Sequence, residues 1–217
     1  FRKPSSQTKL PPNDFTTPPK PKDLKSPVIA LDPSDVEMIH KNPPLDLKLT
    51  KAWYYTRFML HSCMRISDMI GFKINDTEDY ITYISKKSSS QSTFYLPSDV
   101  RNFMSKKKEG YTISGFRHDL KRLLKSYKEL HKKKRITSFD VEGNPVTILE
   151  RIYDVITPHK LRSSGITWYL SLGYTEKQVR EISGHSNGSV AFYRYTDHTD
   201  AKTKKRHADQ ITELLRS

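Results

Sequence analysis

Apolar side chains recur every three or four positions from Leu49 through Ala52, Trp53, Met59 and Leu60 to Cys63, with Thr56 on the same face. That spacing predicts a helix with one buried face. Ile113, Phe116, Leu120, Leu123, Leu124, Tyr127 and Leu130 repeat it, opposite a face crowded with Lys and Arg. Between the two stripes the period changes. Tyr80-Ile81-Thr82-Tyr83-Ile84 is β-branched and aromatic, Lys86 to Gln91 is polar turn material, and Thr93-Phe94-Tyr95-Leu96 returns as a second strand. A further strand is expected near Phe72 to Asn75, and Gly143-Asn144-Pro145 between extended stretches predicts a second hairpin over 134–149.

Punctuation residues place the remaining helices. Asp32-Pro33-Ser34-Asp35 reads as an N-cap with proline in the first turn, and Thr157-Pro158 opens a helix expected to end at Gly173. Thr175 with Gln178 is a capping box for the next helix, which stops at Gly184. Ala201, Ala208, Ile211 and Leu215 form the stripe of a C-terminal helix. Ten of the 13 prolines fall within the first 44 residues and no glycine precedes Gly71, so residues 1–30 read as an extended arm or linker. The chain shows no internal repeat.

Composition then narrows the partner. The 38 Lys and Arg outnumber 24 Asp and Glu, a net charge of +14 that favours a polyanion, nucleic acid above all. The single cysteine, Cys63, excludes an intrachain disulfide and a cysteine-based zinc site. No apolar run reaches the roughly 20 residues needed to span a bilayer. Phe1-Arg2-Lys3-Pro4 lacks the apolar core of a signal peptide, and an opening without Met reads as a fragment or processed product.

His159 and Arg162 stand at i and i+3 in the first turn of a predicted helix, beside unpaired backbone N–H groups. Alone, such a pair is more often a solvated helix start than a phosphate seat. Ser183-Gly184-His185-Ser186 follows, then Phe192-Tyr193-Arg194-Tyr195-Thr196, and upstream lies Ser62-Cys63-Met64-Arg65-Ile66-Ser67-Asp68. In that order these residues resemble the tyrosine recombinase family, with its Arg…Lys…His-x-x-Arg…Gly-His…Tyr pattern. The likeness spans roughly residues 32–217 and is most specific over the last 60 or so. Ile182-Ser183-Gly184-His185, Phe192-Tyr193-Arg194-Tyr195 and the 134–149 hairpin are similar to integrases of bacterial mobile elements.

The resemblance implies a mainly helical α+β fold, a lambda-integrase-like catalytic core with a small antiparallel sheet. Residues 31–217 would form that domain, and the family's N-terminal core-binding domain would precede the arm. Arg65 and Arg162 would hold the non-bridging oxygens of a DNA phosphate, a task that suits guanidinium forks. His159 and His185 would donate to the same phosphate or move the nucleophile's proton. Tyr195 would attack, leaving a 3′-phosphotyrosyl enzyme and a free 5′-hydroxyl, with neither ATP nor metal. Lys87, with Lys86 as the alternative, would protonate the leaving oxygen. Asp68 would orient Arg65, or serve only as a surface carboxylate.

The family's usual spacing falls between two tyrosines here. Tyr193 lies eight residues past His185 and Tyr195 ten, and the Arg-Tyr-Thr ending favours Tyr195 while leaving Tyr193 open. Trp168 and Tyr169 read as core residues, and the Lys-rich runs 106–108, 132–134 and 204–205 as solvated faces that contact phosphates without reading bases. Expected partners are duplex DNA and further copies of the chain, a tetramer on two DNA sites with residues 199–216 docked into a neighbour. No cofactor and no membrane are expected; in a bacterium the setting would be cytoplasmic and nucleoid-associated, and for any other source it stays open. Two rival readings are a type IB topoisomerase and a basic DNA-binding module without turnover.

Overall fold

Helix α2 (Thr50–Ser62) is the axle of the domain. Its residues Ala52, Trp53, Tyr55, Thr56, Arg57, Phe58, Met59 and Leu60 are all buried, which is why apolar side chains crowd every side of it. The architecture comes from a computed structural model that describes residues 28–74, 80–87, 89–106, 110–139, 144–186, 192 and 195. The expected C-terminal helix, most of the arm, Asn75 and Tyr193 lie outside the described residues.

In chain order, α1 (Pro33–Lys41) precedes α2, and a 3₁₀ turn at Leu47–Leu49 leads into it. Short α3 (Ile66–Ile70) follows, then an antiparallel hairpin of β1 (Ile81–Ile84) and β2 (Gln91–Phe94), paired from Ile81↔Phe94 to Ile84↔Gln91. Next come α4 (Ser98–Lys106), α5 (Ile113–Ser126), and a second hairpin of β3 (Lys133–Phe139) and β4 (Pro145–Arg151). One-turn α6 (Ile152–Val155), α7 (Pro158–Ser171) and α8 (Glu176–Ser183) complete the series. The class is the expected one: mainly helical, with small antiparallel sheets.

Several elements differ from the sequence reading. Residues 72–74 form no strand, because the Phe72 amide closes a turn onto the Met69 carbonyl and its ring packs near Phe58 and Tyr83. Helix α5, capped by the Thr112 hydroxyl accepting from the Gly115 amide at 3.0 Å, stops at Ser126 rather than running to Leu130. The backbone turns extended at Tyr127, and Leu130 still reaches the core from a 3₁₀ turn. Helix α4 had no sequence signal, since only Val100 and Met104 of it are buried. Packed structure is already present at the chain's entry: Ala30 and Leu31 are buried, and the Leu31 amide donates to Ser164 Oγ at 2.9 Å. Asp32 and Asp35 then meet Lys134 and Lys132 at 3.0 and 2.8 Å, fastening α1 to the root of β3.

Two backbone details shape the site. At Gly165 a Cβ would stand 2.3 Å from the Leu60 carbonyl oxygen and 2.9 Å from Cys63 Sγ, so only glycine lets α7 cross α2 this closely. At the end of α2, Cys63 adopts a left-handed conformation (φ 49°), a strained state for a side-chain-bearing residue. It turns the chain abruptly toward Arg65. The core divides into a large cluster around α2 and a smaller one that includes Cys63, Ile166, Tyr169, Val179, Phe192 and Tyr195.

Candidate active site

Arg162 projects from the second turn of α7 and is almost wholly buried, 3 % exposed. Its guanidinium donates to the Cys63 carbonyl at 2.5 Å and the Ser183 carbonyl at 2.7 Å. The left-handed turn at Cys63 and the end of α8 therefore fix this side chain from two sides. Burial, reinforced by Arg65, lowers its pKa, yet a guanidinium stays protonated at neutral pH. Among the described residues no carboxylate forms an ion pair with Arg162. Two carbonyl dipoles hold the charge without cancelling it, which leaves it available to an anion.

Arg65 is the N-cap residue of α3 and donates through Nη1 to Ser85 Oγ at 2.8 Å. That hydroxyl in turn donates to Asp68 Oδ2 at 3.0 Å, and both Ser85 and Asp68 are buried. Asp68 is thus no surface carboxylate. It reaches Arg65 through Ser85, a residue the sequence reading passed over.

His185 follows Gly184, the left-handed C-cap of α8. Its ring lies 3.3 Å from Arg162 Nη2 and 2.7 Å from Ser183 Oγ, both measured at Nδ1. Burial, then the charges of Arg162, Arg65 and Arg180, push its pKa down to about 3. His159, at the exposed mouth of the site, is lowered by partial burial and then by Arg162, Arg65 and Lys160. Both imidazoles are neutral at pH 7, and the same two arginines act on both. One electropositive cluster therefore unites Arg65, His159, Arg162 and His185.

The β1–β2 hairpin is bolted onto this cluster. Ser90 Oγ donates to the Gly184 carbonyl at 2.9 Å, and a Cβ at Gly184 would fall 2.4 Å from Ser92 Oγ. Lys86 and Lys87 occupy the exposed turn of that hairpin, directly after Ser85. The Lys86 ammonium leans back over the end of α3, 3.6 Å from where a Cβ of Gly71 would lie.

Tyr195 is buried, 9 % exposed, in the smaller core cluster. Its ring centroid is 6.2 Å from that of His185 and 6.1 Å from that of Phe192. Its hydroxyl is 3.3 Å from Ser163 Oγ, on the residue next to Arg162. Arg180 supports the same wall, stacking 4.3 Å over Phe192 and donating to the Ser186 carbonyl at 3.0 Å. Among the described residues no group of three or more His, Cys, Asp or Glu is placed to hold a metal ion, and no helix is long and apolar enough to cross a membrane.

A model described as the phage integrase family matches residues 30–202. The chain belongs to the phage integrase family. Its fold is that of the tyrosine recombinase catalytic domain. No curated protein sequence matches the chain. Among solved structures, the Tn1549 transposon integrase in complex with transposon right end DNA is similar over 83 % of this chain and 67 % of its own, at 16 % identity and a TM-score of 0.54. XerA recombinase is similar over 84 % of this chain and 66 % of its own, at 15 % identity and a TM-score of 0.55. XerH site-specific recombinase bound to palindromic difH substrate, a post-cleavage complex, matches 86 % of this chain and 54 % of its own, at 15 % identity and 0.53. The chain thus spans about two thirds or less of the length of these proteins.

Proposed function

We propose that this member of the family cuts and rejoins duplex DNA through a covalent 3′-phosphotyrosyl bond to Tyr195. The observation that carries the reading is the hydroxyl of Tyr195 within hydrogen-bonding reach of the residue adjoining Arg162, beside His185. A phosphodiester is anionic, and its attack by a second oxygen builds further charge on the non-bridging oxygens. Arg65 and Arg162 supply fixed positive charge there, with no reorganisation at the moment of reaction. The phenol gives up its proton to a neutral imidazole, that of His159 or His185. Tyr195 Oη bonds to phosphorus and the P–O5′ bond breaks. The departing oxygen takes a proton from the hairpin lysine, Lys87 in this reading with Lys86 as the alternative. The phosphate ester retains the bond energy, so the reverse attack by a 5′-hydroxyl reseals the strand.

The net charge of +14 and the DNA in the Tn1549 integrase and XerH structures support duplex DNA as the partner. In a bacterial host an enzyme acting on duplex DNA would work at the nucleoid. Exchange between two sites calls for four copies, and residues 199–216 are amphipathic enough in sequence to dock onto a neighbour. The test is a nicked suicide substrate followed by denaturing electrophoresis. A protein–DNA adduct is expected from the wild type and from Tyr193→Phe, and none from Tyr195→Phe. An adduct that survives Tyr195→Phe removes this assignment.

A further inference from the structure

Ser163 lies at the centre of the site, and neither the charge pattern nor the His-x-x-Arg spacing gives it a part. It follows Arg162 on α7 and is 6 % exposed. Its Oγ makes two contacts, a long one of 3.4 Å to the His159 carbonyl one turn back and one of 3.3 Å to the Tyr195 hydroxyl. We propose that Ser163 is a catalytic residue that holds the Tyr195 hydroxyl in place and stabilises it by hydrogen bonding as it becomes a phenoxide. The proposal rests on the assignment of Tyr195 as the nucleophile.

A serine hydroxyl has one proton and two lone pairs. Before reaction, the Ser163 proton goes to the His159 carbonyl and a lone pair of Oγ accepts the phenol proton of Tyr195. The His159 carbonyl bond is at the long end of hydrogen-bond geometry and is given up at little cost. Once the phenol proton has passed to an imidazole, rotation about the Cβ–Oγ bond turns the Ser163 proton onto the phenoxide. No heavy atom moves. Nothing is bonded or broken at Ser163, and its proton stays on Oγ throughout. The burial of both groups makes this charged hydrogen bond stronger than the same contact in water.

The same contact acts in reverse. During resealing the phenoxide is the leaving group, so a donor at Oγ accelerates departure of the tyrosine as much as its attack. Ser163 also has a positional role, because it ties the Tyr195-bearing segment to the helix that carries Arg162. A 1 Å error in such an alignment is worth roughly 100-fold in rate.

The measurement is single-turnover cleavage of a suicide substrate at saturating DNA, followed across pH. Ser163→Ala is expected to slow cleavage about tenfold at pH 7 and to raise the apparent pKa of the alkaline-activated limb by about one unit, with DNA affinity unchanged. Ser163→Thr, which keeps the hydroxyl, is expected to restore the wild-type profile. Replacing Tyr195 by a more acidic difluorotyrosine is expected to rescue Ser163→Ala, since a phenol that ionises readily needs less help. A wild-type rate and pH profile in Ser163→Ala overturns the proposal, as does a slowing with no change in pH profile and no rescue by the acidic phenol. Tyr195→Phe serves as the separate control. If it still forms the covalent adduct, the nucleophile assignment fails; if it forms none and Ser163→Ala is unaffected, only the role of Ser163 fails.

Discussion

Arg65 and Asp68 are joined through one hydroxyl, that of Ser85, which accepts from the guanidinium at 2.8 Å and donates to the carboxylate at 3.0 Å. The arrangement is directional. Asp68 fixes the serine proton, which leaves a lone pair aimed at Arg65, and the arginine is thereby held at the start of α3. Because Ser85 also begins the turn that bears Lys86 and Lys87, one hydroxyl links Arg65 to the turn that carries the candidate acid.

That linkage gives the first prediction. Ser85→Ala and Asp68→Asn should each lower the rate of strand cleavage on the order of 10- to 100-fold by loosening Arg65. DNA affinity should change little, because most of it comes from backbone contacts spread over the basic surface. Filter binding and single-turnover cleavage on the same preparations separate the two quantities.

Arg162 is predicted to be intolerant of its nearest substitute. Arg162→Lys keeps a charge but loses the fork, and covalent adduct formation should fall on the order of 100- to 1,000-fold, the range seen when a preorganised anion-stabilising donor is lost. Arg162→Ala should also destabilise the fold. It abandons the carbonyls of Cys63 and Ser183, a loss of about 1–3 kcal/mol for each buried acceptor left unsatisfied. Urea titration of both variants checks this.

Gly165→Ala should be among the most damaging single methyl additions in the chain. The new Cβ would meet the backbone oxygen of Leu60 at 2.3 Å, and neither helix can yield without opening the core between α2 and α7. A loss of about 3 kcal/mol is expected, at the upper end for overpacking. Thermal melting reads it directly, and an unchanged midpoint would refute the close crossing.

Stability should fall in mild acid. Burial, then Arg57 and only partly offset by Asp99, pushes His40 down to about 4; burial, then His40 and Arg57 and again offset by Asp99, pushes His61 down to about 3. Their rings pack, tilted or edge-on, in one cluster with Trp168, at centroid distances of 4.6 to 5.4 Å. The unfolded chain protonates these histidines near pH 6.5 and the folded one only well below that, so the unfolded state binds more protons in between. Stability is therefore full above about pH 6.5 and declines as pH falls toward 4 and then 3. Each unit of separation is worth about 1.4 kcal/mol, so the loss amounts to a few kcal/mol. Urea midpoints at pH 7 and pH 5 should show a clear drop at the lower value.

How far the sequence revealed this arrangement depended on range. Helices α2, α7 and α8 were legible because their signals are local, an apolar period or a cap residue at each end. Helix α5 was legible except for its end, since the apolar stripe continues into Leu130 through a change of backbone conformation that periodicity does not register. The candidates Arg65, His159, Arg162 and His185 stood out in the sequence by type and order, and the fold brings them into one cluster. The hydroxyls did not stand out. Ser85 meets Arg65 across 20 residues and Ser163 meets Tyr195 across 32, and serine is too common in a chain for such pairings to be visible before folding. The role of the Cys63 carbonyl was equally hidden, because it depends on a left-handed backbone turn at a residue other than glycine.

A phenol held beside Arg162 and His185 should become bonded to DNA. Trapping the protein on a suicide substrate, digesting the adduct and locating the nucleotide-bearing peptide by tandem mass spectrometry tests it most directly. The phosphate ester is expected on Tyr195. An ester on Tyr193, or no phosphotyrosyl peptide at all despite DNA cleavage, would contradict it.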